Sequence, residues 1–153
     1  MCMRVKIRAP ETENELEKYY ELRWRILRRP WGKLRGSEKD GIEEKAIHII
    51  ACIDDKVVGV GRVHFNTKKE AQIRYMAVER EYRGKGIGGL ILKELEKRAR
   101  NGGAKQIILN ARENVVGFYK KHDYMIVERG HTLFGNIKHW RMQKDFSKCA
   151  RAR

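Results

Sequence analysis

Apolar and polar positions change rhythm several times along this chain. Residues 3–9 alternate as a half-buried strand does, and Pro10 stops the run. Thr12 followed by Glu15 has the pattern of a capping box. Over 13–28, Leu16, Tyr19, Tyr20, Leu22 or Arg23, Ile26 and Leu27 return on one side of a helix, which Pro30 ends. Residues 31–44 are polar and contain glycine, predicting a long connection with room for a short helix, and connections of that length are often functional. Two strands follow in hairpin order, 46–53 and 57–65, around the turn Asp54-Asp55-Lys56. Gly59 and Gly61 inside the second predict a bulge or a close backbone approach. After a turn at 66–69, residues 71–78 read as a further strand. Helix 86–101 carries Ile87, Leu90, Ile91 and Leu95 at helical spacing and stops at Asn101-Gly102-Gly103. A strand at 105–110, a short helix at 114–122 and strands at 124–129 and 137–144 complete the chain. The order β-α-β-β-β-α-β-α-β-β predicts an α+β fold, with one mixed sheet of about seven strands flanked by helices.

Composition narrows the setting. A length of 153 residues fits a single domain spanning 1–153. No apolar run reaches the ~18 residues a membrane span needs, and the N-terminus lacks a signal peptide's apolar stretch. A cytoplasmic protein with no membrane partner is expected. Cys2, Cys52 and Cys149 are odd in number and far apart, with neither metal-ligand spacing nor a disulfide framework. Cys52, in an apolar stretch, reads as a buried structural thiol. The formal charge of +15 favours anionic partners: nucleic acid, an acidic protein or a polyanionic cofactor. Its small concentrations fall at 23–29 and 148–153, and a solvated charged surface is the default explanation. Nucleic acid has this charge in its favour, but no RNP, zinc-finger or helix-turn-helix motif supports it.

The most informative chemistry lies at 76–89. Strand 71–78 ends in Met76-Ala77-Val78, and a turn leads through Arg83-Gly84-Lys85-Gly86-Ile87-Gly88-Gly89 into a helix. Such a turn aims bare N–H groups and a helix dipole at one point, a natural seat for phosphate or pyrophosphate. Arg83 and Lys85 add charge beside it. A tight strand-to-helix turn with incidental glycines is the bland alternative. A Walker A loop is excluded, since Leu90 stands where its lysine would be. The dinucleotide fingerprint G-x-G-x-x-G is literally present at Gly84, Gly86 and Gly89. It also wants an acidic residue about 20 positions on, and Asn110 stands there. The meander before it and the short chain after it cannot build a doubly wound sheet.

The remaining pattern, R-x-x-G-x-G at Arg83, Gly86 and Gly88, resembles the acetyl-CoA-binding motif of the GNAT superfamily of N-acetyltransferases. The likeness covers nearly the whole chain and includes the element order. Residues 114–124 resemble the family's second motif, Asn114 followed by Phe118-Tyr119, with Asp123-Tyr124 where Gly-Phe is usual. Glu13 to Pro30, Gly36 to Asp40 and Ile73 to Val78 resemble the acetyltransferase half of bacterial proteins that fuse a GNAT domain to a hot-dog thioesterase. The lipid-related activity of those fusions does not carry over.

The resemblance implies a GNAT acyltransferase fold and acetyl-CoA as cosubstrate. It implies that backbone at Met76, Ala77 and Val78 receives the pantetheine arm, with the Val78 N–H on the thioester carbonyl. The turn at Arg83, Gly84, Lys85, Gly86, Ile87 and Gly88 would hold the pyrophosphate, and Asn110 and Asn114 would touch the coenzyme. Asn114 reads equally as a helix N-cap and could do both. Tyr119 would protonate the departing thiolate, its bland alternative being a buried helix tyrosine. The family's strand glutamate is replaced by Gln72, which cannot act as a base. His139 on the last strand is the base carried forward, with Glu113, His64 and Glu70 as other candidates and a structural or exposed histidine as its alternative. The acceptor would be a small-molecule or peptide amine, with Arg23, Arg25, Arg29 and Trp31 lining its entry or forming a solvated basic face. Family members often pair through their sheets, so a homodimer is expected. The competing class is a basic binding module of the same fold, docking nucleic acid or an acidic partner without catalysis.

Overall fold

A computed structural model describes residues 4–146. Cys2, Cys149 and the basic concentration at 148–153 lie outside the described residues. Seven strands and three α-helices follow the expected order: β1 Lys6–Arg8, α1 Glu13–Leu27, β2 Ile47–Ile53, β3 Lys56–Phe65, β4 Glu70–Val78, α2 Ile87–Asn101, β5 Gln106–Arg112, α3 Val116–Lys121, β6 Met125–Leu133 and β7 Ile137–Asp145. The strands form one sheet in the order β1-β2-β3-β4-β5-β7-β6. Among the described residues no helix is long and apolar enough to cross a membrane, and no group of His, Cys, Asp and Glu side chains could hold a metal ion.

Strand β1 is shorter than the alternation at 3–9 implied, and two strands run beyond expectation for physical reasons. Strand β5 runs on to Arg112, because Ala111 is buried and continues the ladder opposite Trp140. Strand β6 runs on to Leu133 although most of it is exposed, so it lacks the alternation that marks a half-buried strand.

The chain gathers into two compact units, one of residues up to Val63 with Tyr75–Arg98, the other of His64–Arg74 with residues from Ala99 on. In the first unit, Thr12 caps α1 by accepting from the Glu15 N–H at 3.0 Å. The apolar stripe of α1 buries Tyr19 and Leu22 against Ile50, Cys52, Val57, Val60 and Ala77. Helix α2 lies close over β3. A Cβ at Gly59 or at Gly61 would stand 2.7 Å from Ile91, so both glycines mark a close approach. The expected bulge is also present: Ala51 stands opposite Gly59 and Cys52 opposite Val57, so Val58 is the extra residue on β3. Burial pushes the Cys52 thiol up, which suits a structural, unreactive cysteine.

In the second unit β4 pairs in parallel with β5 from Glu70 opposite Gln106 to Ile73 opposite Leu109. Strand β7 runs antiparallel to β5, ending with His139 opposite Arg112. Helices α2 and α3 end alike. The N–H of Ala104 donates to the Ala99 carbonyl at 3.0 Å, and that of Tyr124 to the Tyr119 carbonyl at 3.1 Å. The residue between is left-handed in both, Gly103 at φ 103° and Asp123 at φ 72°. Asp123 therefore makes the same left-handed turn as Gly103 does.

Candidate active site

The donor half belongs to the first unit. Near its end β4 makes a sharp departure: Tyr75 has φ 59°, in the left-handed region that a bulky residue rarely adopts. Met76, Ala77 and Val78 follow. The Val78 carbonyl accepts from Arg83 Nε at 2.9 Å, and the Glu79 N–H donates to the Val58 carbonyl at 2.8 Å. The Glu79 carboxylate takes both ends of the Arg25 guanidinium at 2.8 Å each, tying α1 to the end of the strand. A 3-10 turn at Arg80–Tyr82 leads into the glycines.

Gly84 and Gly86 have φ 76° and 84°. A Cβ on either would meet nothing within 4 Å, so backbone conformation and not crowding calls for glycine, and open space faces the turn. The Gly86 carbonyl accepts the Leu90 N–H at 3.2 Å, so α2 starts there. Glycine offers no side chain to cap the first N–H groups, and the first turn carries no acid to offset the dipole. Arg83, Gly84, Lys85 and Gly86 are exposed, while buried Ile87 anchors the helix. These features fit a pyrophosphate.

Beside the Tyr75 kink lies a charge cluster that residue patterns do not predict. Arg23 and Arg62 are both 0% exposed. Arg23 forks onto Glu43 at 2.8 and 3.1 Å and also donates to the Glu38 carbonyl and the Tyr19 hydroxyl. Arg62 forks onto Asp40 at 2.8 and 2.9 Å and lies 3.0 Å from Glu43. Burial works to raise the Glu43 carboxyl, but hydrogen bonds from Arg23 and the Asp40 N–H outweigh it and hold it below the usual carboxylate range. The Glu43 carbonyl lies 2.7 Å from His48 Nε2, and since a carbonyl only accepts, Nε2 carries the proton. His48 Nδ1 then accepts from the Tyr19 hydroxyl at 2.7 Å. Three guanidinium carbons lie near the centre of the Tyr75 ring, Arg23 at 3.8 Å, Arg62 at 4.9 Å and Arg28 at 5.5 Å. A left-handed non-glycine residue costs roughly 1–2 kcal/mol, and a desolvated cation on an aromatic face returns about 2 kcal/mol, enough to hold the kink.

Arg23 is thus neither a pocket-lining residue nor part of a solvated face, and Arg25 is engaged with Glu21 and Glu79. Arg29 is exposed and Trp31 half-buried. The usable signals were an arginine four residues after Tyr19 on the apolar side of α1, and Arg62 within the apolar run of β3.

The other candidates belong to the second unit. Tyr119 is buried in α3 with edge-on contacts to Phe118 and Tyr124 at 5.0 and 5.7 Å. Burial pushes its phenol up, so it stays protonated at neutral pH. Asn114 is exposed within the 3-10 turn Glu113–Val115. The N-cap of α3 is Val115, with no side-chain cap, so the capping alternative for Asn114 does not hold. Asn110 is exposed on β5 opposite Arg141. Gln72 accepts from Asn66 at 3.0 Å, as Glu70 does at 3.1 Å, and His64 is bonded to Asn66 at 3.1 Å. Glu113 is exposed. His139 is 6% exposed, with Nδ1 3.1 Å from the Ile137 carbonyl and 3.2 Å from that of His131. Nδ1 therefore carries the proton, and Nε2 has the free lone pair of the neutral ring. Burial, then the neighbouring His131, lowers its pKa and keeps it neutral. The His131 ring stacks on it at 4.4 Å, a partner unforeseen from the sequence.

Known proteins share this fold. The model of the acetyltransferase (GNAT) family matches residues 16–124. An uncharacterized N-acetyltransferase of Bacillus subtilis strain 168, YjcF, is 33% identical over 135 residues, covering 88% of this chain and 96% of the relative. Among solved structures, an aminoglycoside 6'-N-acetyltransferase complexed with coenzyme A shares the fold with a TM-score of 0.78 at 17% identity, covering 94% of this chain and 97% of that one. An acetyltransferase of Elizabethkingia anophelis with acetyl-CoA bound does so with a TM-score of 0.73 at 16% identity, covering 92% and 97%. With the family model spanning most of the chain and a relative matched almost end to end, the chain belongs to the GNAT acetyltransferase family and is an N-acetyltransferase with acetyl-CoA as its cosubstrate.

Proposed function

We propose that this enzyme, a single GNAT domain over residues 1–153 working in the cytoplasm, transfers acetyl from acetyl-CoA to a primary amine of a small molecule or peptide by direct attack on the thioester. The observation that carries the reading is the turn at 83–88, whose two left-handed glycines lead into a helix start with no acid in its first turn. Its N–H groups hold the pyrophosphate, with Arg83 and Lys85 alongside and Asn110 and Asn114 touching the rest of the coenzyme. Backbone of Met76, Ala77 and Val78 aligns the pantetheine arm, and the Val78 N–H donates to the thioester oxygen as charge develops there. His139 takes a proton from the acceptor ammonium at Nε2, leaving a neutral amine. The C–N bond forms as the C–S bond breaks, Tyr119 gives its proton to the departing thiolate, and the proton that the new amide nitrogen sheds restores the phenol. Pairing of two copies through their sheets remains part of this reading, as does the likeness to the acetyltransferase half of thioesterase fusions.

A screen of primary amines with acetyl-CoA, followed by free-thiol release, tests it. Turnover with at least one amine, lost in Gly86→Glu, is expected. Thiol release that no amine accelerates would contradict it. The alternative of a basic docking module rests on the +15 charge alone. Nucleic-acid affinity that survives physiological salt would favour it.

A further inference from the structure

We propose that Arg23 is a positioning residue for acetyl transfer. By lying on the ring of Tyr75 it holds that residue left-handed, and so sets the direction in which β4 presents Met76, Ala77 and Val78. The inference rests on the reading that those backbone groups receive the thioester.

Tyr75 is neither Gly, Asn nor Asp, the residues that enter the left-handed region readily, yet it does so at φ 59° one position before the receiving backbone. A bulky residue stays in that region only where its surroundings hold it there. The nearest cation on the ring is Arg23, at 3.8 Å. Arg23 is not free to leave. It is fully buried, and its two terminal nitrogens are spread over Glu43, the Glu38 carbonyl and the Tyr19 hydroxyl. Its Nε has no hydrogen-bond partner among the described residues. A buried guanidinium that gives up one bond while keeping the ring face is placed for that face. Asp40 and Glu43 also hold Arg62, which sits on the same ring at 4.9 Å. Arg28 donates to the Ser37 carbonyl and lies 5.5 Å from it. Segment 37–43 therefore acts as a strap, fixing cations against the kinked residue.

A substitution cycle separates positioning from mere stability. Glycine accepts φ 59° without strain, so Tyr75→Gly removes the need for the clamp. Arg23→Met in the native background is expected to lower kcat/KM for acetyl-CoA by about 100-fold, the effect of misplacing a reacting group by about 1 Å. In the Tyr75→Gly background the same change is expected to cost less than about threefold. Tyr75→Leu keeps the strain, loses the ring face and should fall with Arg23→Met. Tyr75→Gly alone should stay within about fivefold of the native enzyme. Thr12→Ala, which removes the α1 cap and leaves the cation on the ring, should lower the melting temperature while kcat/KM changes by less than about threefold. Amide resonances of residues 76–78 read the clamp without any ligand: Arg23→Met should shift them beside Tyr75 and leave them in place beside Gly. Equal losses from Arg23→Met in both backgrounds, or unshifted 76–78 amides, would overturn the clamp. If Arg23→Met fails to fold, Tyr75→Leu with native activity and native 76–78 amides would do the same. Shifted amides in a protein that binds no acetyl-CoA would instead leave the clamp standing and remove the reading on which it rests.

Discussion

The turn at 83–88 and the kink at Tyr75 both carry left-handed backbone close to the donor end of β4, and they reach it by different means. Gly84 and Gly86 adopt φ 76° and 84° with open space where a side chain would be. Their conformation needs no partner, because glycine pays no steric cost there. Tyr75 adopts φ 59° as a bulky aromatic, under three guanidinium groups, two of them fixed by Asp40 and Glu43. One geometry is written into the residues that adopt it. The other is imposed by residues tens of positions away. The first kind suits a surface that must wrap an anion, and the second a strand whose direction must not drift.

The largest expected effect breaks the glycine side of this contrast. Gly86→Glu and Gly88→Glu each place a carboxylate where the anion should lie, and calorimetry should show acetyl-CoA binding weakened by more than about 100-fold. Binding within tenfold of native in both would mean that the turn is not the seat.

Proton transfer needs side chains as well as backbone. Tyr119→Phe is expected to lower kcat by about 100-fold while KM for acetyl-CoA moves less than about threefold. Equal losses in both would make Tyr119 a packing or binding residue.

The histidines supply a pH test. Burial lowers the pKa of His139 and of His48 from the ordinary value. A base held neutral this way puts the acid limb of kcat/KM below about pH 6.5, and His139→Gln should remove that limb. A limb unmoved by the substitution would assign the base elsewhere. The same shifts enter stability. The fold favours the neutral rings, so their contribution is complete above about pH 6.5 and is lost as pH falls through the lower folded values. A melting temperature that rises on acidification from pH 6.5 to 5 would contradict this.

The smallest effects return to the contrast between locally tolerated and locally forced geometry. Gly103 and Asp123 occupy the same position in two matching helix ends. Gly103→Ala should cost about 1 kcal/mol, whereas Asp123→Gly should change stability by less than about 1 kcal/mol in either direction, since aspartate tolerates the left-handed region. Denaturant melts would resolve the pair, and a costly Asp123→Gly would show that its side chain does more than tolerate the turn.

The same distinction explains what could be read in the chain. The element order was legible because most strands and helices carry their own period, and the turn at 83–88 because glycine spacing is local. Tyr119 and His139 were legible as residue types, but their environments were not. That His131 stacks on His139 follows from pairing of β6 with β7, and β6, with most of its residues exposed, shows no alternation. Arg23 was hardest to read. A charged residue on a helix defaults to water, and Glu43, which overrides that default, lies twenty positions on beyond an irregular connection. Arg62 and Asp40 are twenty-two apart for the same reason. The long connection at 31–44 was expected to be functional on length alone. What it contributes to the fold, the acids that neutralise two buried arginines, emerges only from tertiary structure.

The central claim, that this turn receives acetyl-CoA, is tested most directly by calorimetric titration of the native protein with acetyl-CoA, in competition with desulfo-CoA. The account predicts one saturable site with Kd below about 1 mM, displaced by desulfo-CoA and absent in Gly86→Glu. A titration that shows no saturation up to millimolar acetyl-CoA would contradict it.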